Sequence, residues 1–338
     1  MGIWAVRAPL PLFVGALNCN NKSLHLHLQQ RRKRFNIITC TTSTSASTSV
    51  LEVNEIRKRC KKWQWKGQYS INYLVSSNPN SLSNSSLLLV HGFGASIPHW
   101  RRNIAVLEKN YTVYAIDLLG FGASDKPAGF SYTMEAWAQL ILDFLAEVVQ
   151  KPTVLIGNSV GSLACVICCL RQLLMIGGSS CYLPLLWFFD FLLRQRVIAS
   201  AIFERVKQRD TLRNALLSIY GNKEFVDDVL VEIIREPAND EGALDAFVSI
   251  VTGPPGPNPV QLMTSISLPV LVLWGDNDPF TPLDGPVGKY FSSLPSQKSN
   301  VKLFVLEGAG HCPHDDRPDL VHEKLLPWLA NFPASPGT

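Results

Sequence analysis

Four short segments of the chain each place a chemically useful residue type directly after an apolar run. Thr153 to Ile156 leads into Gly157-Asn158-Ser159-Val160-Gly161, and Ser162 to Cys169 then has a composition suited to a helix. A G-x-S-x-G pentapeptide between a strand and a helix is the setting of a nucleophilic serine. The sharp turn lifts the hydroxyl above the sheet, and the glycines remove side chains that would collide around it. A serine hydroxyl is a weak nucleophile at neutral pH. It needs an adjacent base, and the base needs a third group to hold its tautomer. Both follow downstream: Val270 to Trp274 opens into Gly275-Asp276-Asn277-Asp278, and Val301 to Leu306 runs on to Gly308-Ala309-Gly310-His311.

Of the two acids, Asp278 is preferred because the G-x-x-D spacing carries it farther over the sheet edge, whereas Asp276 suits a turn cap. Of the histidines, His311 comes straight after the strand and a glycine pair. His314 and His322 lie in a polar and then a helical stretch and read as supporting or surface groups. The fourth segment is Ser86 to Val90 followed by His91-Gly92-Phe93-Gly94. Here the N–H groups of Phe93 and Val160 would receive the oxyanion that forms on an attacked carbonyl, and losing one such donor costs on the order of 3 kcal/mol in the barrier. A single G-x-S-x-G arises often by chance. Four motifs at four strand ends, with the reactive residues in chain order Ser, Asp, His, do not.

The elements needed to position these residues are legible. Ser86–Val90, Val113–Leu118, Val154–Gly157, Val270–Trp274 and Val301–Leu306 have strand length and read as buried strands. Helical patterns separate several of them. From Thr133 to Val149, Met134, Trp137, Leu140, Ile141, Phe144 and Val148 recur at spacings of three and four. Strand alternating with helix implies an α/β fold, a mainly parallel sheet covered on both faces, with its chemistry beyond the carboxyl ends of the strands. Between about Leu183 and Thr252 the strand runs stop and helical segments follow, as expected of a helical cap inserted at 183–252 into a core made of 62–182 and 253–332. The cap opens with a greasy run, Leu183 to Leu193, too short and interrupted to span a bilayer. Leu185, Trp187, Phe188 and Phe189 in it are candidate substrate contacts.

With 338 residues, 46% of them hydrophobic, the chain can bury one large core. The net charge of +4 does not point to nucleic acid. Arg7, Lys22, Arg31, Arg32, Lys33 and Arg34 all precede the first acid, Glu52, and without them the body is slightly acidic. Those basic residues, the absence of acids and the run TTSTSASTS at 41–49 read residues 1–50 as a disordered organelle transit peptide, plastid or alternatively mitochondrial, with Ile38-Thr39-Cys40 before the cut. Eight cysteines show no paired metal-ligand spacing, and Cys165 and Cys168 read as core filler in a helix.

Taken together, LLLVHGFGAS, YAIDLLGFGASDKP, VLIGNSVGSLACV, EGALDAFVSIVTGPPGPNP, VLVLWGDNDPFTPLDGPVGKYFSSLP and GHCPHDDRPDLVHEKLLPWL resemble the α/β-hydrolase superfamily over residues 62–332. They are most similar to its plant branch of chlorophyll dephytylases and pheophytinases. The resemblance implies an α/β-hydrolase fold and a plastid serine hydrolase that cuts the ester between phytol and a tetrapyrrole, releasing chlorophyllide or pheophorbide. It also implies no metal or organic cofactor and a peripheral contact with the thylakoid membrane. Ser159 at the elbow separates the chain from relatives with an aspartate nucleophile. Two alternatives remain open: a plastid carboxylesterase or lipase acting on another apolar ester, and a catalytically impaired chlorophyll-binding form. There is one departure. After Ser162 to Ile167 such chains complete a longer helix and add a sixth core strand before the cap, whereas Cys168 to Leu183 is short and unlike that pattern. The sixth strand is therefore expected to be missing or shortened. Leu173-Leu174-Met175-Ile176 is the nearest substitute, at the limit of the dozen or so residues that a parallel crossover needs.

Overall fold

The computed structural model describes residues 3–8, 50–78, 85–173 and 195–332. Its strands are β1 (Ile3–Ala8), β2 (Cys60–Trp65), β3 (Tyr69–Ser76), β4 (Ser86–Val90), β5 (Thr112–Ile116), β6 (Thr153–Asn158), β7 (Val270–Gly275) and β8 (Val301–Leu306). They form one sheet in the order β2-β3-β5-β4-β6-β1-β7-β8. The pairs β5/β4, β4/β6 and β7/β8 are parallel, while β2, β3 and β5 run antiparallel at one edge. The five strands expected from apolar runs are all present, β5 ending two residues before Leu118, but β8, at the sheet edge, is only partly buried and exposes Phe304 and Val305.

Alternate residues of the central strands feed two cores, one on each face. Leu88, Val90, Tyr114, Val272 and Trp274 pack with the helix residues Trp137, Ile141 and Phe144. Leu87, Leu89, Val113, Leu271 and Leu273 pack on the other side with Trp100, Leu325 and Trp328. A strand buried on both faces has no polar positions to alternate, which is why these segments read as continuous apolar runs. Thr133 starts the helix Met134–Phe144 by accepting a hydrogen bond from Ala136 N at 3.1 Å, and the pattern continues through a π turn, Leu145–Val149, to Gln150 at φ 55°. The helix Val160–Leu173 follows β6 and buries Cys165, Cys168 and Cys169 as free thiols, whose pKa values burial pushes up.

Two expectations need correction. The hairpin β2–β3 is not among the strands expected from apolar runs, because Lys61, Lys62 and Gln64 interrupt its apolar residues. And Ile3–Ala8, inside the segment read as a disordered leader, is a strand that pairs antiparallel with β6 on one side and β7 on the other. It occupies the place where a sixth core strand was expected to be missing, so β6 and β7 each find a partner. The nearest substitute does not take that place among the described residues: Leu173 ends a helix, and 174–176 lie outside them.

The proposed cap boundary at 182/183 and the contacts Leu185, Trp187, Phe188 and Phe189 also lie outside the described residues. From 196 to 251 the chain is helical, with Arg196–Val206, Arg209–Ile219, Asp228–Arg235 and Ala243–Val251 as its main helices. Arg101 and Arg102, beyond β4, pair with Asp227 at 2.9 and 3.3 Å, and Asp227 caps the third of these helices by accepting from Leu230 N at 2.7 Å. No described helix is long and apolar enough to cross a membrane.

Candidate active site

Ser159 sits at the turn between β6 and the helix Val160–Leu173 with φ 52°, in the left-handed region that a non-glycine residue enters at a cost of about 1–2 kcal/mol. The flanking glycines make the turn sterically feasible. A Cβ on Gly161 would lie 2.4 Å from the His91 carbonyl oxygen, and one on Gly157 2.5 Å from Ser162 N. The elbow therefore closes against the end of β4 with no room for side chains.

The loop after β8 brings His311 over this serine. His311 Nε2 stands 3.0 Å from Ser159 Oγ, and Nδ1 stands 3.0 Å from Asp278 Oδ2. Asp278 lies in the loop after β7 and is buried, whereas Asp276 is exposed. Its Oδ1 accepts from Phe280 N at 2.9 Å and Thr281 N at 3.2 Å, and its Oδ2 also accepts from the Thr281 hydroxyl at 2.7 Å. Burial alone would raise the carboxyl pKa; the hydrogen bonds from His311 and Thr281 outweigh it and hold the group ionised well below the usual carboxylate range. With that acceptor fixed, the neutral imidazole carries its proton on Nδ1 and turns the Nε2 lone pair to the serine hydroxyl.

The histidine loop is itself tied down. His311 N donates to Ile219 O at 2.8 Å, and Asn158, the residue before the serine, donates through Nδ2 to His311 O at 3.1 Å. Asp316 accepts from Gly310 N at 2.5 Å, Gly221 N at 2.8 Å and Asn222 N at 2.7 Å, which joins this loop to the segment after Arg209–Ile219. On the other side His91 fixes the glycine loop. Its Nδ1–H donates to Gly92 O at 2.7 Å and its Nε2 accepts from Leu118 N at 3.0 Å; burial lowers its pKa and keeps the ring neutral. A Cβ on Gly92 would come within 3.2 Å of Ser159 Cβ, so the Phe93 loop passes directly over the elbow, and Phe93 and Val160 both line the cavity there.

That cavity has a volume of about 600 Å³ and is bounded mainly by apolar side chains, among them Phe93, Phe121, Phe203, Phe247 and Phe280. Phe280 meets the His311 ring edge to face at 4.9 Å. Ser159 and His311 are on its wall, and the helices between 196 and 251 supply Phe203, Leu216 and Phe247. Among the described residues no group of His, Cys, Asp and Glu has an arrangement that could hold a metal ion.

Sequence reasoning missed a buried polar chain behind the cavity: His99 Nε2 to the Tyr220 hydroxyl at 2.8 Å, and that hydroxyl to Asp315 Oδ2 at 3.1 Å. The signal available was the acid pair Asp315-Asp316 so soon after His311. Of the two readings of His314, supporting or surface group, the second does not hold: the residue is fully buried, packed against Trp100 and His99 at ring separations of 4.1 and 4.5 Å, with burial holding its pKa well down. The short helix Pro313–Asp316 carries it inward against the turn of Trp100. His322 is half-buried and 3.2 Å from Asn103 Oδ1.

This geometry can be set beside known proteins. A family model described as the alpha/beta hydrolase family matches residues 87–324. The chain belongs to that family. It is 25% identical to an uncharacterized hydrolase, YugF, of Bacillus subtilis over 72% of this chain and 89% of that protein. It is 24% identical to the chloroplastic pheophytinase of Arabidopsis thaliana over 80% of this chain, spanning 66% of the length of that relative. Among solved structures, the enol-lactonase from Burkholderia xenovorans LB400 superimposes with a TM-score of 0.62 at 19% identity, covering 80% of this chain and all of the other. Epoxide hydrolases are also among the similar sequences, one from Caenorhabditis elegans at 23% identity over 70% of this chain and 71% of its own length. The protein is therefore a hydrolase of the α/β family, and the identities are too low to carry a substrate across.

Proposed function

We propose that this protein is a serine-dependent carboxylic ester hydrolase that removes phytol from chlorophyll or pheophytin. The observation that carries the reading is the unbroken chain from Ser159 Oγ through both nitrogens of His311 to Asp278, at 3.0 Å for each contact, on the wall of a phenylalanine-lined cavity. In the reaction His311 Nε2 takes the serine proton as Oγ attacks the ester carbonyl. Asp278 stabilises the imidazolium, and the N–H groups of Phe93 and Val160 receive the oxyanion. The carbonyl re-forms as the alcohol leaves with the proton from His311. Water, deprotonated by the same nitrogen, then attacks the acyl-serine; the Oγ–acyl bond breaks, His311 returns the proton to Ser159 Oγ, and the acid is released.

Three further observations support a large apolar substrate in a plastid. The cavity is apolar and large enough for a long branched chain, in the range usual for small-molecule sites. Val197, Ile198, Ile202 and Val206 recur along the helix Arg196–Val206 and are exposed, which suits contact with an apolar surface such as the thylakoid. The chloroplastic pheophytinase is among the relatives. The test is chromatography of phytol and chlorophyllide after incubation with chlorophyll in detergent, with Ser159→Ala as the control. Serine-dependent release is the expected result. A folded protein that reacts with a serine-directed phosphonate yet releases no phytol acts on another apolar ester, and one that binds chlorophyll without reacting with the phosphonate is a binding form.

A further inference from the structure

Strand β1 lies in the interior of the sheet and runs against both of its neighbours. Its six residues, Ile3 to Ala8, stand opposite Asn158 to Thr153 of β6, and Ile3 to Val6 also stand opposite Leu273 to Val270 of β7. With β1 in place every residue of β6 and of β7 is buried, and β1 supplies the partners of their facing backbone groups. Neighbouring strands lie about 4.8 Å apart, which means that without β1 the facing edges of β6 and β7 would be about 10 Å apart, too far to bond to each other. Each facing N–H or C=O would then lose its protein partner, and the strands would have to move together or admit water to satisfy it. Ala5 is buried with Ile156 and Leu271 in the core on one face, so the slot is filled with side chain as well as backbone.

The two strands separated by β1 carry the reacting groups. β6 runs into Ser159, and β7 runs into the loop of Asp278; among the described residues β8, which leads to His311, pairs only with β7. The 3.0 Å contact between His311 Nε2 and Ser159 Oγ thus bridges from one side of β1 to the other, while the His311–Asp278 contact lies wholly on the β7 side. The spacing of the site is set by a six-residue segment joined to the body through residues 9–49.

We propose that the gap between β6 and β7 is a strand-acceptor site whose working occupant is Ile3–Ala8, so that a segment with the composition of a removable leader holds the nucleophile and the acid in register. A leader peptidase that cuts within residues 9–49 then has two distinct products. If the fragment stays in the sheet the site remains assembled; if it is pulled away the site comes apart. The inference concerns assembly of the site and stands whichever ester is the substrate.

The test starts from the full chain, with residues 42–48 exchanged for the recognition sequence of a site-specific protease and the cut made after folding. The expected result is that the N-terminal fragment co-elutes with the body on native gel filtration and phosphonate labelling of Ser159 continues at the uncut rate. When the fragment is stripped off and removed, labelling falls at least about tenfold and the amides of 153–158 and 270–275 lose at least about tenfold of their hydrogen-exchange protection. Re-adding the fragment restores both, whereas a fragment carrying Ala5→Pro, which removes a ladder N–H from a central strand, does not. Separation of the fragment under native conditions with labelling and amide protection unchanged would overturn the proposal. Hydrogen exchange on the uncut chain decides independently of whether the stripped body stays folded. The amides of 3–8 should be protected like those of β6, and exchange at the rate of an unstructured peptide would also overturn it.

Discussion

Replacing Asp278 by Asn tests the electrostatic logic of the site with almost no change of shape. Oδ1 of Asp278 accepts two backbone N–H groups, from Phe280 and Thr281, while Oδ2 faces His311 Nδ1 and the Thr281 hydroxyl. In the Asp278→Asn variant the amide oxygen must stay with the two backbone donors, because turning the NH2 group toward them would oppose donor to donor. The NH2 then points at His311 Nδ1, which can meet it only as an acceptor. The imidazole must move its proton to Nε2, the nitrogen 3.0 Å from Ser159 Oγ, and in that tautomer it cannot take the serine proton. A wrong-tautomer substitution of this kind in a Ser-His-Asp site lowers kcat by about 10⁴, or about 5.5 kcal/mol in the barrier. The assay is the rate of phosphonate labelling and of hydrolysis of a soluble aryl ester at about pH 7.5, with circular dichroism to show that the fold is kept. A loss smaller than about tenfold would refute the reasoning, since it would mean that Asp278 does not set the tautomer of His311.

Ser159→Gly should abolish labelling yet raise thermal stability, because glycine relieves the positive φ of 52°; a gain of about 1 kcal/mol, or about 2 °C for a chain of this size, is expected in calorimetry. Gly161→Ala should do the reverse of stabilising: its Cβ would meet the His91 carbonyl at 2.4 Å, and a loss of about 2 kcal/mol or more in urea unfolding accompanies lost labelling. Stability should fall as the solution is acidified from pH 6.5 toward 4. Burial lowers the pKa of His99 to about 4, so the unfolded chain binds a proton below its ordinary value of 6.5 that the folded chain refuses. That one group costs about 3 kcal/mol by pH 4, and a urea midpoint that does not move between pH 7 and pH 4.5 would contradict it.

The legible parts of this fold and site were those in which one residue type has one physical use. Strands buried on both faces leave unbroken apolar runs, and β4, β6 and β7 were visible for that reason. The segments of Ser159 and Asp278 were visible because each follows such a run, and that of His311 because it follows β8, an edge strand whose run is broken by Lys302 and partly exposed, with glycines at the turns where the backbone passes closest. The hairpin β2–β3 was hidden because its outer residues, Lys61, Lys62 and Gln64, are exposed at the sheet edge and give it a mixed pattern. β1 was hidden more deeply. Basic and Ser/Thr-rich composition describes a segment's average, and six residues that pair through backbone groups leave little mark on it. The burial of His314 was left open for a related reason: hydrophilic neighbours in sequence say little when a four-residue helix buries one side chain. The cavity wall could not be assigned from sequence because Phe203 and Phe247 come from separate helices that meet only in the fold.

The most direct test of the central claim is intact-protein mass measurement after incubation with a fluorophosphonate, followed by peptide mapping. Wild-type protein should gain one adduct, mapped to Ser159, and Ser159→Ala and His311→Ala should gain none over the same interval. Stoichiometric labelling of Ser159→Ala, or an adduct mapped to another residue, would contradict the claim that Ser159 is the nucleophile of this site.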